Sequence, residues 1–183
     1  MRIKYHHVPH IARKIARDIA NSEFVDIEKD IDSIAKVATE ILDQDIEQER
    51  ALDEKVEEIL EEQMSEIEFY GADYRQLFWL TKKKLAPEFG ILTNLEERFS
   101  SIAHKILDKL WNEEYIDYGV SDTQVKNLIY MSIDKFSRGF EEADETVREK
   151  MKNYKRKLIP GTEEFDLVYE KFYEEELIRR GLA

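Results

Sequence analysis

The sequence predicts an all-α protein built from two tandem copies of a helical unit of about 90 residues. Residues 11–26 (IARKIARDIANSEFVD) match residues 102–117 (IAHKILDKLWNEEYID) without a gap, 91 positions later, and seven of these sixteen residues are identical. Apolar residues recur at three- and four-residue steps through most of the chain, which is typical of amphipathic helices. Only six glycines and three prolines occur, so we expect long helices and few turns. We therefore divide the chain into unit 1, residues 1–91, and unit 2, residues 92–183.

The first helix of unit 1 is predicted to begin near Pro9, because the missing N–H of proline costs nothing in the first turn of a helix. Its apolar residues fall on one face: Ile11, Ala12, Ile15, Ala16 and Ile19. The helix is expected to end near Asn21. Residues 24–27 (FVDI) then form either a loop that inserts into the core or a very short strand.

Residues 31–68 are predicted to form one long helix, with two helices as the alternative. The apolar stripe keeps nearly the same phase on both sides of residues 47–50 (EQER), where it thins. A turn could lie there, but no glycine or proline occurs between Pro9 and Gly71. The absence of turn residues favours one continuous helix.

The same segment is strongly acidic, with twelve acidic residues in 43–68 against Arg50 and Lys55. Like charges four residues apart on a helix cost a few tenths of a kcal/mol each. Helix propensity and burial of the stripe must outweigh that repulsion. We therefore place these acidic side chains mainly on the solvated face, opposite the stripe.

The last helix of unit 1 is predicted over residues 74–85 (YRQLFWLTKKKL), with Asp73 as its N-cap. Gly71 breaks the preceding helix. Pro87 and Gly90 end the unit, because neither residue favours a continuing helix.

Unit 2 repeats this plan, beginning with a short helix and a turn. Ser121 and Gln124 form a capping-box signature, and the apolar stripe that follows is predicted to extend to Leu158. Residues 159–161 (IPG) stop this long helix. Thr162 then begins the last helix, which finishes with basic residues and a glycine.

Composition disfavours several classes of function. The net charge of -13 repels phosphate, so a general nucleic-acid binder is disfavoured. The absence of cysteine excludes thiolate catalysis and cysteine-ligated metals. We see no signal peptide and no apolar run of about 20 residues, so we expect a cytoplasmic protein without a membrane contact. Because no nucleophile elbow, P-loop or glycine-rich dinucleotide motif occurs, we expect neither enzymatic activity nor a cofactor.

The N-terminal histidines raise the alternative of a metal site. His6 and His10 are four residues apart and His7 lies between them, but zinc needs three or four ligands and the only other histidine is His104. We expect this segment to fold back on the protein without a metal.

Two basic clusters stand out on the acidic background, each with an aromatic neighbour: Trp79 with Lys82, Lys83 and Lys84, and Tyr154 with Lys155, Arg156 and Lys157. The first cluster aligns with residues 173–175 (YEE) in the other unit and the second with residues 64–66 (MSE), so neither is repeated. Both clusters could compensate the charge at a helix end, or they could bind an anionic partner.

Trp111 stands where unit 1 has Ala20, and it either fills the interface between the units or forms an exposed anchor.

Three blocks of the sequence carry a resemblance to a known family. The opening MRIK, the block RQLFWLTKKKLAPEFG and the block NYKRKLIPGTEEFDLVYEKFYEEELIRRGL resemble the bacterial family known as domain of unknown function 507. The resemblance covers essentially the whole chain. It implies a bacterial, cytoplasmic protein with no settled activity, cofactor or catalytic residue to carry over.

The leading functional hypothesis is a non-enzymatic interaction or scaffolding protein, which uses charged helices and aromatic anchors to hold a protein partner or a second copy of itself. The alternative is an RNA- or ribonucleoprotein-associated factor that binds through the two basic clusters. Binding of that kind would depend on salt and would weaken on charge reversal there. An enzyme is the third hypothesis, and the sequence offers no catalytic constellation for it.

Overall fold

The protein is described by a computed structural model that covers residues 3–154 and 158–182. The elements are α1 (Val8–Ala20), β1 (Val25–Ile27), α2 (Ile31–Glu62), α3 (Met64–Tyr70), α4 (Tyr74–Leu85), α5 (Leu95–Asn112), β2 (Ile116–Tyr118), α6 (Asp122–Lys152) and α7 (Glu163–Arg180). Short 3-10 turns occur at Tyr5–His7 and Ala86–Phe89. The predicted all-α class is confirmed, since helices make up most of this part of the chain. None of the helices described here has both the length and the apolar character needed to cross a membrane.

The segment predicted as one long helix is continuous where the stripe thins, because α2 passes through residues 47–50 without a turn. The helix nevertheless breaks at Gln63, whose φ and ψ of -103° and 9° leave the helical region. The short helix α3 follows and buries Ile67, and Gly71 ends it in the left-handed conformation at φ 60°. The expectation of one helix as far as residue 68 is thus corrected to a long helix and a short one.

Helix α6 begins and ends on local signals in the sequence. The Ser121 backbone N–H donates a hydrogen bond to Gln124 Oε1 at 3.3 Å, which confirms the predicted capping box. The helix ends at Lys152, and the Asn153 side chain then donates to the backbone carbonyl of Glu149 at 3.2 Å. The prediction of a helix extending to Leu158 was therefore too long.

One large core joins residues from both predicted units. Its fully buried side chains come from α1, α2, α5, β2 and α6, and Leu177 and Leu182 close it beside α7. A smaller core lies under α3 and α4: Leu52, Val56, Leu60, Ile67, Ala86 and Ile91. The apolar faces of the amphipathic helices predicted from the sequence pack together in these two cores.

A two-stranded antiparallel ribbon connects the units. Val25 lies opposite Tyr118, Asp26 opposite Asp117, and Ile27 opposite Ile116. Asp26 and Asp117 are 91 positions apart, so the register is symmetric about this pair of residues. We call two residues that are 91 positions apart counterparts.

The helices pack in matching pairs. Helix α1 contacts α2 and α6, and α5 likewise contacts α6 and α2. Helix α4 packs on α2, as α7 packs on α6. The order of short helix, strand, long helix and final helix therefore occurs twice with corresponding contacts. The counterpart of α3 falls at 155–161, of which 155–157 lie outside the described residues and 158–161 are not helical.

Candidate interaction surface

Helix α4 is capped at its N-terminus and held along one side by apolar contacts. The Asp73 side chain accepts a hydrogen bond from the backbone N–H of Gln76 at 3.2 Å, which confirms the predicted N-cap. Leu77, Phe78 and Leu85 pack, partly buried, against the smaller core. The opposite side of the helix therefore faces solvent.

That outward side carries two large apolar residues among cations. Trp79 is 61% exposed and Leu80 is 59% exposed. Arg75 and Lys83 lie one turn before and after Trp79, and Lys84 lies one turn after Leu80; all three are exposed. We call these five residues the α4 face. Its charge of +3 is opposite in sign to that of the protein as a whole.

Lys82 does not belong to this exposed surface, which corrects its grouping with Lys83 and Lys84 as one candidate binding cluster. The residue is 4% exposed. Its Nζ lies 2.8 Å from Glu49 Oε1 and 2.6 Å from Asp53 Oδ1. The same nitrogen is 5.4 Å from the centre of the Trp79 ring, which is within the range of a cation–π contact. The buried ion pair therefore also contacts the Trp79 ring.

Arg98 of α5 completes this buried network. Its Nη2 and Nε lie 2.6 and 2.9 Å from Asp45 Oδ2, and its Nη1 lies 2.8 Å from Glu49 Oε2. Burial alone would lower the pKa of Arg98, but hydrogen bonds to the Asp45 and Glu49 carboxylates raise it above its ordinary value. Two cations from α4 and α5 thus fix both helices to three carboxylates of α2.

The buried network explains why the apolar stripe of α2 thins. Asp45, Glu49 and Asp53 are four residues apart, and so they lie along one line of the helix. Asp45 and Glu49 are buried, in phase with the apolar residues before and after them. The expectation that the acidic run is mainly solvated holds for its other members but fails here, because the neutralising cations come from distant segments.

A cluster of different chemistry occupies the counterpart positions. Arg98 corresponds to His7, Glu49 to Phe140, Lys82 to Tyr173, and Asp53 to Asp144. The His7 ring stacks on Phe140, with the ring centres 4.1 Å apart and an angle of 11° between the planes. The predicted fold-back of the histidine segment therefore places His7 inside the protein.

The hydrogen bonds of His7 identify its neutral tautomer. Nδ1 accepts a hydrogen bond from the Lys4 backbone N–H at 3.2 Å, so the ring hydrogen lies on Nε2, which is 3.1 Å from the Tyr173 hydroxyl oxygen. Burial, together with the charges of His6, Lys4 and His10, lowers the pKa of His7 to about 3. Burial also raises the pKa of Tyr173 to about 12, and the Asp144 charge adds to that effect. Both side chains are neutral at ordinary pH.

This environment of His7 predicts a pH-dependent stability. The unfolded chain binds a proton near pH 6.5 and the folded chain only near pH 3, so stability falls as the pH drops through this range, by up to about 1.4 kcal/mol per pH unit. We expect His7→Phe to remove this contribution. Urea unfolding of wild type and variant at a series of pH values measures the difference, and His104→Phe, at an exposed histidine, is the control. Parallel curves for wild type and His7→Phe would contradict the assignment.

The remaining predicted contact residues lie at separate places. Trp111 is 45% exposed and packs on Tyr118, with ring centres 4.6 Å apart. Tyr154 is 39% exposed and its ring lies 5.7 Å from that of Phe172. Lys155, Arg156 and Lys157 lie outside the described residues. The structure therefore brings together only Trp79, Lys83 and Lys84 among the candidates that it describes.

Sequence reasoning missed two aromatic residues beside α4. Phe69 and Tyr70 at the end of α3 are 81% and 77% exposed, and their rings meet edge to face at 5.1 Å. Both directly follow the predicted acidic helix, residues 31–68, where the apolar stripe ends. Their exposure would have been visible in the sequence only if the break at Gln63 had been recognised.

No metal centre is apparent in the part of the chain that the structure covers. Within these residues, no group of three or more His, Asp or Glu side chains is arranged to hold an ion. His6 and His10 instead line a cleft beside α7.

The comparisons with known proteins concern the family alone. A search of curated proteins finds no match to the chain. The family model described as "Protein of unknown function (DUF507)" matches residues 1–182. The match extends over both predicted units and includes the α4 face and the buried network. The chain therefore belongs to the DUF507 family of proteins of unknown function.

Proposed function

We propose that the protein is a non-enzymatic interaction protein of the bacterial cytoplasm, which docks a protein partner on the α4 face. The observation that carries this proposal is the exposure of Trp79 between Arg75 and Lys83 on a protein of net charge -13. Tryptophan and arginine are the residues most enriched at the energetic centres of protein interfaces. A local charge of +3 favours a partner with an acidic surface.

The buried network supports this role by fixing the position of the face. Lys82 is tied to two carboxylates of α2, directly beneath Trp79. A side chain held in place loses little conformational freedom when a partner binds, and affinity gains by that amount. The α4 face is therefore suited to docking without rearrangement.

We further infer that the chain consists of two tandem copies, residues 1–91 and 92–183. The matching order of elements, the corresponding helix contacts and the symmetric strand register support this inference. The α4 face is absent from the other copy, where a glutamate replaces Trp79. Residues that differ between copies outside the core are free to serve binding.

A photo-crosslinking amino acid at position 79 tests the proposal in the native host. The matched control is the same substitution at Met131, which is 60% exposed and lies on another helix. We expect a discrete protein adduct from position 79 only. The identified partner, once purified, should bind at least about tenfold more weakly to Trp79→Ala and to Lys83→Glu/Lys84→Glu.

The other outcomes separate the hypotheses. An RNA adduct at position 79, with salt-dependent affinity for the purified RNA, would replace this proposal by the RNA-associated role. Equal labelling from positions 79 and 131 would remove the α4 face as a docking surface.

A further inference from the structure

The α4 face and its counterpart on α7 have opposite charges. Arg75 corresponds to Asp166, Trp79 to Glu170, Leu80 to Lys171, Lys83 to Glu174 and Lys84 to Glu175, so the counterpart surface has a charge of -3. All ten residues are exposed. The three cations on α4 in unit 1 and the four carboxylates on α7 in unit 2 therefore occupy counterpart surfaces of the two units. One copy presents a basic surface with an aromatic residue at its centre, and the other presents an acidic surface.

The acidic surface of α7 borders a cleft of about 890 Å³ between this helix and the N-terminal segment. Tyr169 and Tyr173 form an aromatic wall, their rings stacked 5.9 Å apart at an angle of 12°. Asp166, Glu170 and Glu174 also line the cleft. Among the described residues, no basic side chain forms an ion pair with these three carboxylates.

The cleft also contains positive charge, but the acidic side chains exceed it. Arg148 lines the cleft, and its Nε lies 2.8 Å from Asp144 Oδ2. Lys4 is the second cation of the lining. Burial lowers the pKa of His6 and of His10 on the opposite wall, which disfavours positive charge on these two rings. The cleft therefore attracts a cationic, apolar group.

The spacing of the charges on the two helices matches. Residues four apart rise about 6 Å along a helix, so Arg75, Trp79 and Lys83 form a row of the same length as Asp166, Glu170 and Glu174. A cleft of this volume admits an indole ring. With Trp79 against the tyrosine wall, Arg75 and Lys83 reach the carboxylates at the two ends of the row.

Resting on the proposed function, we propose that the partner on the α4 face is a second copy of this chain, which receives Trp79 in the α7 cleft. The contact is head to tail, because the surface used on one copy differs from the surface used on the next. In a pair of copies joined this way, one copy still has a free cleft and the other still has a free α4 face. Such contacts continue into a ring or a linear assembly instead of stopping at a symmetric dimer.

Sedimentation equilibrium of the purified full chain tests this arrangement. We expect the wild type to associate with rising concentration at low salt and to dissociate at about 1 M salt, where screening is strong. Lys83→Glu/Lys84→Glu and Glu170→Lys/Glu174→Lys should each weaken self-association at least about tenfold. The variant with all four substitutions should recover association, because the charges are exchanged but remain complementary. An equimolar mixture of the two double variants should also recover it.

The matched control is Lys105→Glu/Lys135→Glu, which changes the charge by the same amount at two exposed lysines elsewhere. This variant should associate like the wild type, and circular dichroism should show that all variants keep their helices. A wild type that stays monomeric at low salt, or a fourfold variant that does not recover association, would overturn the inference. A partner of another kind crosslinked at position 79, together with a monomeric wild type, would overturn self-docking and leave the proposed function standing.

Discussion

Replacing Arg98 by methionine should lower the free energy of unfolding by about 3–5 kcal/mol, because the change leaves two carboxylates inside the protein without their guanidinium partner. Arg98 is 8% exposed and binds Asp45 and Glu49 at 2.6 to 2.9 Å. Methionine keeps most of the volume and removes only the charge and its hydrogen bonds. Urea unfolding followed by circular dichroism measures the loss. The control is Arg50→Met, which removes an exposed ion pair with Glu54 and should leave the unfolding midpoint almost unchanged.

The counterpart cluster supplies a sharper comparison for this network. A fourfold variant, Asp45→Phe, Glu49→Phe, Lys82→Tyr and Arg98→His, copies the residues found at the counterpart positions. Replacing a whole buried ion network by packed apolar groups is often neutral. We expect this variant to recover most of the stability lost in Arg98→Met. A fourfold variant less stable than Arg98→Met would show that the two sites differ in backbone as well as in chemistry.

Truncation of Phe140 to alanine should cost about 3–5 kcal/mol, since a large aromatic side chain would leave a cavity in the centre of the main core. Phe140 is fully buried, stacks on His7 and meets the Phe136 ring at 5.6 Å. Urea unfolding again gives the loss directly. Water entering the cavity should also bring the pKa of His7 back towards its ordinary value, so the pH dependence attributed to His7 should become weaker in this variant.

The control for this truncation is Phe69→Ala, which removes the same ring from a position that is 81% exposed. Its effect should remain within about 0.5 kcal/mol. An effect of Phe140→Ala as small as that of Phe69→Ala would contradict the expected contribution of the buried Phe140 ring to stability.

The fold could be predicted because apolar periodicity is a local property. The stripe of α1, the capping box at Ser121 and the N-cap at Asp73 lie within a few residues of what they determine. The break at Gln63 could not be seen, because no glycine or proline marks it and Ile67 must turn towards a core made by distant residues. Unmarked breaks of this kind depend on tertiary packing.

The candidate site was predictable in part. Trp79, Lys83 and Lys84 were identified from their contrast with an acidic chain, and they are exposed. Lys82 was misplaced because a run of three lysines was treated as one surface, although neighbours on a helix point about 100° apart. The sequence did contain a signal for the burial of Lys82. This residue is in helical phase with the core-facing residues Phe78 and Leu85, and Glu49 is likewise in phase with the apolar stripe of α2. Charged residues in phase with an apolar stripe on two helices indicate a buried ion pair between them.

The ribbon that pairs residues 25–27 with residues 116–118 has a consequence for how the protein is made. During synthesis, the first ninety residues emerge from the ribosome before the segments that form α5, β2 and α6 have emerged. Helix α1 then lacks one of the two long helices that cover it, and the edge of β1 is open. Native contacts over such sequence separations form late. We therefore expect the nascent first half to remain exposed to chaperones and proteases until the second half emerges.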